Sequence, residues 1–175
     1  MAFAPDRSIW TIGSLGNRIE DNSADYQILR HYSQDGTELG RFLPRSSFPY
    51  LKSDGPLGIV QPVVMPMFGG WQLYVAANQV DVILHTYNVW VETDFNGVEK
   101  GRWDISKGVR PWAITDDGRA WLVDGPELKV FDRSQGLWRT TSSGVPGRRL
   151  IGADGSDLVF TVSNTDMLRR MSAPE

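Results

Sequence analysis

The chain has 175 residues, of which 41% are hydrophobic and 22% are charged, and its formal net charge is -3. This length and composition suit a folded domain with a core of its own. The weak negative charge gives no electrostatic drive toward nucleic acid or an anionic membrane. The absence of cysteine excludes disulfides and thiolate metal sites, and no apolar run reaches the roughly 20 residues of a membrane-spanning helix.

One short pattern recurs along the chain: an apolar run, a turn with an acidic or amide residue, and a second apolar run. The turn residue of this pattern stands at four places: Asp6, Asn78, Asp117 and Asp154. A glycine-containing turn follows further along at three places: Gly36, Gly97 and Gly136. This spacing indicates a repeat of about 40 residues with two insertions in the first unit, at residues 13–25 and 44–66. The repeat units are predicted at residues 1–43, 67–105, 109–142 and 148–175.

Each unit is predicted to contain four short strands. In the third unit they are residues 110–115, 120–123, 127–132 and 137–141, where β-branched and aromatic residues are frequent. Asp-Gly and Asn-Gly pairs between apolar runs are typical of hairpin turns. Residues 19–32 come nearest to a helical pattern, but their apolar side chains do not hold one face. The chain is therefore predicted to be all-β, with its last unit ending in a third strand near residues 166–171.

The third unit also resembles a known type of repeat. Its segment Ile114-Thr-Asp-Asp-Gly-Arg-Ala-Trp-Leu, with Leu128-Lys-Val-Phe-Asp-Arg-Ser-Gln-Gly-Leu-Trp after it, is similar to a blade of the NHL, two-component-regulator and virginiamycin-B-lyase-like β-propellers. The resemblance covers about 150 of the 175 residues and implies one propeller domain, or a fragment of one, with about 3.75 blades. Since propellers of this type have about six or seven blades, we expect part of a larger propeller or a homo-oligomer that completes the ring.

Residues at equivalent positions of the repeat have two interpretations. The four acidic or amide turn residues suggest a ring of metal ligands, but Asp and Asn also favour turns because they bond to nearby backbone. The large side chains that open the second strands suggest a row for stacking sugars, or else packing between units. They are Trp10, Val82, Trp121 and Leu158. For both sets we predict the structural role.

Candidate binding residues fall in loops, or open inner strands, on the side of the repeat that propellers of this type use for ligands. Both insertions fall on this side, and long surface loops of this kind are often variable in sequence and functional. Arginine suits bidentate recognition of carboxylate or phosphate, and tryptophan offers a face for stacking. The alternative for the same residues is solvated charge and packing. The predicted binding residues are Arg110, Trp112, Arg148, Arg149, Tyr87 and Asn88.

Catalytic and metal-binding residues are less clearly indicated. The resemblance to virginiamycin-B-lyase-like enzymes implies a histidine base and a metal, for which His85 is the candidate, although a lone histidine also serves structural roles. Glu20, Asp21 and Asp25 form an acidic loop with oxygen ligands of the kind that Ca²⁺ prefers, or simply an exposed loop. No cofactor is predicted beyond this Ca²⁺ candidate.

The function predicted from the sequence is a non-enzymatic binding module that uses the loop-rich face. Its expected ligand is a protein, a peptide or a glycan, with no role for nucleic acid or membrane. The alternatives are a metal-assisted lyase or hydrolase of the propeller type, and a structural fragment without a ligand of its own. Fold type does not decide among them.

Overall fold

The computed structural model describes residues 1–13, 25–48, 71–76, 78–84, 89–105, 111–145, 149–162 and 167–174. Within these residues the regular structure is β apart from a single 3-10 turn at Arg45–Ser47. The strands form four antiparallel sheets in the described part of the chain, which confirms the prediction of an all-β protein built from repeated strand units. The described residues contain no helix that is long and apolar enough to span a membrane.

The strands follow one another in each sheet in chain order. The first sheet contains β1 (Ala2–Phe3), β2 (Ile9–Ile12), β3 (Gln27–Tyr32) and β4 (Glu38–Pro44). The second contains β5 (Trp71–Ala76), β6 (Gln79–Leu84), β7 (Val89–Thr93) and β8 (Glu99–Asp104). The third contains β9 (Ala113–Ile114), β10 (Ala120–Asp124), β11 (Glu127–Asp132) and β12 (Leu137–Ser143). The fourth contains β13 (Arg149–Asp154), β14 (Asp157–Thr161) and β15 (Leu168–Ser172). Most of both predicted insertions lies outside the described residues.

The acidic turns of the first and third sheets have the same geometry. Before β2, the Arg7 N–H donates to the carbonyl of Ala4 at 2.9 Å, and before β10 the Gly118 N–H donates to the carbonyl of Thr115 at 2.7 Å. The turn carboxylate in each case accepts a backbone N–H two residues ahead. These bonds are Ser8 N–H to Asp6 Oδ1 at 2.9 Å and Arg119 N–H to Asp117 Oδ1 at 3.1 Å. The acids therefore fix the turns, which is the structural role predicted for them.

The predicted equivalence does not extend to all four turn residues. Asp154 is the last residue of β13 and pairs with Asp157, so that only Gly155 and Ser156 lie between the two strands. Asn78 likewise belongs to a short connection, because β5 ends at Ala76 and β6 begins at Gln79. The connection between the first two strands is long in the first and third sheets and short in the second and fourth. The acidic or amide residue has a different position in the two kinds of connection.

The chain divides into two compact units. Unit 1 is Met1–Val75 with Gln79–Asp104 and contains the first two sheets, whereas unit 2 is Ala76–Asn78 with Ile105–Glu175 and contains the last two. Each unit has an apolar core shared by its two sheets. The four residues predicted to pack at equivalent positions all have no exposed surface: Trp10, Val82, Trp121 and Leu158. Their burial confirms that they fill the cores, and it excludes them as an open row for stacking ligands.

Candidate functional site

Two of the residues predicted to bind a ligand lie side by side in unit 2. The guanidinium carbon of Arg149 is 5.5 Å from the centre of the Trp112 ring. This distance is within the range in which an arginine and an aromatic face attract each other, because the positive charge meets the negative face of the ring. Trp112 and Arg149 are far apart in the sequence, and the packing of the third sheet against the fourth brings them together.

The backbone holds both residues firmly. The N–H of Trp112 donates to the carbonyl of Trp121 at 2.8 Å, so the pairing of β9 with β10 continues one residue beyond β9. The Trp112 side chain is half-buried and packs against the core of unit 2. Arg149 begins β13 opposite Thr161, and the next residue, Leu150, is buried in the core. Because side chains alternate along a strand, Arg149 faces outward.

A cleft of about 410 Å³ opens beside this pair and is lined by Trp112, Val123, Gly125 and Arg149. Val123 lies near the end of β10, and Gly125 lies in the turn between β10 and β11. A Cβ placed on Gly125 would meet nothing within 4 Å, so the space over this turn is open. The cleft thus has an apolar wall made by Trp112 and Val123 and a cationic rim at Arg149.

The acidic groups close to the cleft already have a partner. Lys129 Nζ lies 2.6 Å from a carboxylate oxygen of Asp124 and 3.4 Å from one of Glu127, on the two sides of the Gly125 turn. The hydrogen bond to Asp124 raises the pKa of Lys129 above its usual value, so the lysine remains charged at neutral pH. Among the residues that the structure describes, no carboxylate forms an ion pair with Arg149. The rim of the cleft therefore carries a positive charge that no described carboxylate pairs with.

Several other predicted site residues lie outside the described part of the chain. They are Glu20, Asp21, His85, Tyr87, Asn88, Arg110 and Arg148. Asp25 is described: it is exposed in the turn before β3, and its backbone carbonyl accepts a hydrogen bond from Gln27 Nε2 at 2.9 Å. The described residues contain no group of three or more histidine, aspartate or glutamate side chains that could hold a metal ion.

The other histidine, His31, is half-buried and packs against Trp10 of the unit 1 core. Its ring is stacked on Trp10 with the ring centres 4.1 Å apart and the planes 11° from parallel. Nε2 is buried without a hydrogen-bond partner among the described residues. Burial lowers the pKa of His31 below its ordinary value, and the nearby charge of Asp6 opposes this shift.

The sequence indicated one side of the cleft and missed the other. The sequence predicts Trp112 and Arg149 as binding residues, whereas it assigns Val123 only to a strand. The signal available for Val123 was its position at the end of an apolar strand next to the Asp124-Gly-Pro turn. Binding residues lie disproportionately on loops held by a rigid scaffold, so a residue beside such a loop is a candidate.

The chain was also compared with known proteins. No protein-family model, no curated protein and no solved structure matches it.

Proposed function

We propose that the four sheets are blades of a β-propeller similar to the NHL, two-component-regulator and virginiamycin-B-lyase-like repeats. The proposal is supported by the order of the strands, which run consecutively across each sheet. It is also supported in unit 2 by the contact of β9 with β13, the first strands of two successive sheets. First strands of neighbouring blades meet in this way around the axis of a propeller.

We further propose that the protein is a binding module whose ligand occupies the cleft beside Trp112 and Arg149. The observation that carries this proposal is the pairing of an exposed guanidinium with a half-buried indole at the mouth of a cleft. These groups recognise ligands by charge-assisted hydrogen bonds and by contact with a flat apolar face. The lining therefore favours recognition of a protein, peptide or glycan over chemical transformation of it.

The experiment is a nuclear magnetic resonance titration of the intact chain that follows the indole N–H signals. The probes are a set of small aromatic, peptide and sugar fragments, and the Trp112 signal is assigned with the variant Trp112→Phe. We expect binding fragments to shift the Trp112 signal, whereas the fully buried Trp10 and Trp121 keep their positions. Shifts confined to other tryptophans, or no shift with any fragment, would overturn the proposed site.

Two variants sharpen this experiment. Gly125→Asn places a side chain in the open space of the cleft, and asparagine tolerates the φ of +59° that this turn requires. We expect it to weaken fragment binding without unfolding the protein. The matched control is Trp138→Phe, on the outer strand β12 of the same unit. The Trp138 indole N–H has no partner among the described residues, so the substitution removes no hydrogen bond to them. This control should leave the Trp112 response unchanged.

A further inference from the structure

We propose that the ligand of this cleft is a peptide segment that places a carboxylate on Arg149 and an apolar side chain against Trp112 and Val123. This inference rests on the proposed function and adds the chemistry of the ligand to it. The carboxylate comes from an acidic side chain or from a free C-terminus, which present the same two oxygens to a guanidinium.

The charge of the cleft selects an anion. Arg149 is exposed, and among the described lining residues it is the charged one. Two acidic side chains on either side of the Gly125 turn, Asp124 and Glu127, are held by Lys129 at 2.6 and 3.4 Å. They therefore do not compete for the guanidinium, which keeps its hydrogen-bond donors for an incoming group. A planar guanidinium donates two parallel hydrogen bonds to a carboxylate, the arrangement in which such pairs are strongest.

The position of Arg149 is fixed before the ligand arrives. Its guanidinium carbon lies 5.5 Å from the centre of the Trp112 ring, and the Trp112 backbone is bonded to Trp121. An arginine held over an aromatic face loses less conformational freedom when it binds than a freely rotating one does. The cleft is thus prepared for a ligand group at a defined place on its rim.

The remaining lining distinguishes a peptide from other anions. Trp112 and Val123 provide an apolar wall, and Arg149 is the polar side chain that the described lining offers. A sugar acid needs further hydrogen-bonding side chains for its hydroxyl groups, and a phosphate with its higher charge favours more than one cation. A peptide that carries one carboxylate next to an apolar side chain matches one cation beside one apolar wall. The volume of about 410 Å³ is in the range of small-ligand sites and suits two or three residues.

The test uses the intact chain and five probes of matched size or charge. Ac-Leu-Glu-NH₂ carries a side-chain carboxylate, Ac-Gln-Leu-OH carries a C-terminal one, and Ac-Leu-Gln-NH₂ is the neutral match. Glucuronate and inorganic phosphate represent the other anions. Shifts of the Trp112 indole signal give the affinity of each probe. We expect both carboxylate peptides to bind at least about tenfold more tightly than the neutral peptide, the size of one charge-assisted hydrogen-bond contribution.

Two arginine variants complete the test. In Arg149→Gln the preference for carboxylate peptides should disappear while weak binding of the apolar side chain remains. In the control Arg139→Gln, an exposed arginine of β12 that pairs with Asp132, the preference should stay. Unchanged unfolding midpoints will show that both variants are folded, as expected for exposed side chains.

The outcomes separate this inference from the proposed function. If the neutral peptide shifts Trp112 as strongly as the acidic ones, the carboxylate assignment is wrong but the cleft still binds ligands. Tighter binding of phosphate or glucuronate, or an unchanged preference in Arg149→Gln, would also overturn the assignment alone. If neither these peptides nor any fragment of the screen moves the Trp112 signal, both proposals fail.

Discussion

The ring of Phe42, on β4, lies so close to Gly97 that a Cβ at position 97 would come 2.0 Å from the ring atom Cδ1. Gly97 lies in the turn between β7 and β8 and has a φ of +76°. Two separate reasons therefore require glycine here: the left-handed backbone of the turn and the aromatic side chain of the preceding sheet. The relationship shows how the two sheets of unit 1 pack, with a turn of one against an outer strand of the other.

Replacing this glycine should be much more costly than replacing its counterpart in the first sheet. Gly36 has a φ of +88°, but a Cβ there would meet nothing within 4 Å. Gly36→Ala should therefore cost only the backbone strain, about 1 kcal/mol of unfolding free energy. Gly97→Ala adds a clash with Phe42 and should cost about 2–4 kcal/mol in total. Urea unfolding of both variants measures the difference.

The origin of that difference is tested by a double-mutant cycle. Phe42→Ala removes the ring that Gly97→Ala would strike, so the two substitutions together should cost less than the sum of the single costs. Additive costs would show that Phe42 does not limit position 97. Equal costs for Gly36→Ala and Gly97→Ala would lead to the same conclusion.

Changing Ala4 to threonine should stabilise the folded protein. In the third sheet, the equivalent residue Thr115 accepts a hydrogen bond from the buried indole of Trp121 at 3.0 Å and donates one to Asp117 at 2.6 Å. In the first sheet the indole N–H of Trp10 is buried and has no partner among the described residues. Ala4→Thr should supply one and raise the unfolding free energy by about 1 kcal/mol.

The reciprocal change in the third sheet serves as the comparison. Thr115→Ala leaves the Trp121 indole N–H buried without its partner and should cost about 1–3 kcal/mol. Thermal and urea unfolding of both variants will measure the two changes. A destabilising Ala4→Thr together with a neutral Thr115→Ala would contradict the assigned equivalence of the two turns.

Arg7 is expected to be replaceable by glycine with a gain in stability. It has a φ of +67°, in the same turn position where the third sheet has Gly118 with a φ of +81°. A left-handed backbone costs a residue with a Cβ about 1–2 kcal/mol, and glycine avoids this cost. Part of that gain is offset because glycine loses more conformational freedom on folding. Arg7→Gly should therefore raise the unfolding free energy by about 0.5–1 kcal/mol. A loss of stability in urea unfolding would show that the arginine side chain contributes more than the strain that it imposes.

The repeat made the strands and the buried residues predictable, because their signals are local. Alternation and turn residues located most of the strands, and the equivalence of Trp10 and Trp121 indicated that both would be buried. The difference between the two hairpin lengths was not predictable, since Asp117 and Asp154 stand in similar sequences. The length of a turn depends on the register of the flanking strands, and that register cannot be predicted from the residues near the turn alone.

The candidate site was predictable only in part, for a different reason. Residue type and a place at the start of inner strands indicate Trp112 and Arg149 as binding residues, but their contact depends on how two sheets pack. The pairing of Lys129 with Asp124 and Glu127 lies within the β10–β11 hairpin instead, and it leaves Arg149 without a carboxylate partner among the described residues. Contacts between distant segments are consequences of the fold and leave no local pattern.

His31 should make the stability of unit 1 depend on pH as the pH falls through about 6.5. Burial lowers the pKa of His31 below its ordinary value of about 6.5, against the opposing charge of Asp6. The unfolded chain therefore takes up a proton on His31 at a higher pH than the folded chain does. Its contribution to stability is complete above this ordinary value and is lost progressively as the pH falls through it toward the lowered value.

The variant that isolates this effect is His31→Phe. Phenylalanine keeps a ring on Trp10, where the present ring centres are 4.1 Å apart, and it removes the buried Nε2, which has no partner among the described residues. The unfolding free energy of the variant should change less between pH 7 and pH 5 than that of the parent chain. His85 is present in both proteins, so the difference between the two curves reports His31.

The carboxylates act in a lower range of pH and do not obscure the comparison. The hydrogen bond from Ser8 lowers the pKa of Asp6, so its contribution to stability is lost only as the pH falls below the ordinary value for aspartate, about 3.9. The unfolding midpoints in urea should therefore be compared at pH 7, 6 and 5 for both proteins. Parallel curves would show that His31 does not titrate differently on folding, and a steeper curve for His31→Phe would contradict the sign of the shift. A flatter curve would establish that burial lowers the pKa of His31 in the folded chain, where its Nε2 has no hydrogen-bond partner among the described residues.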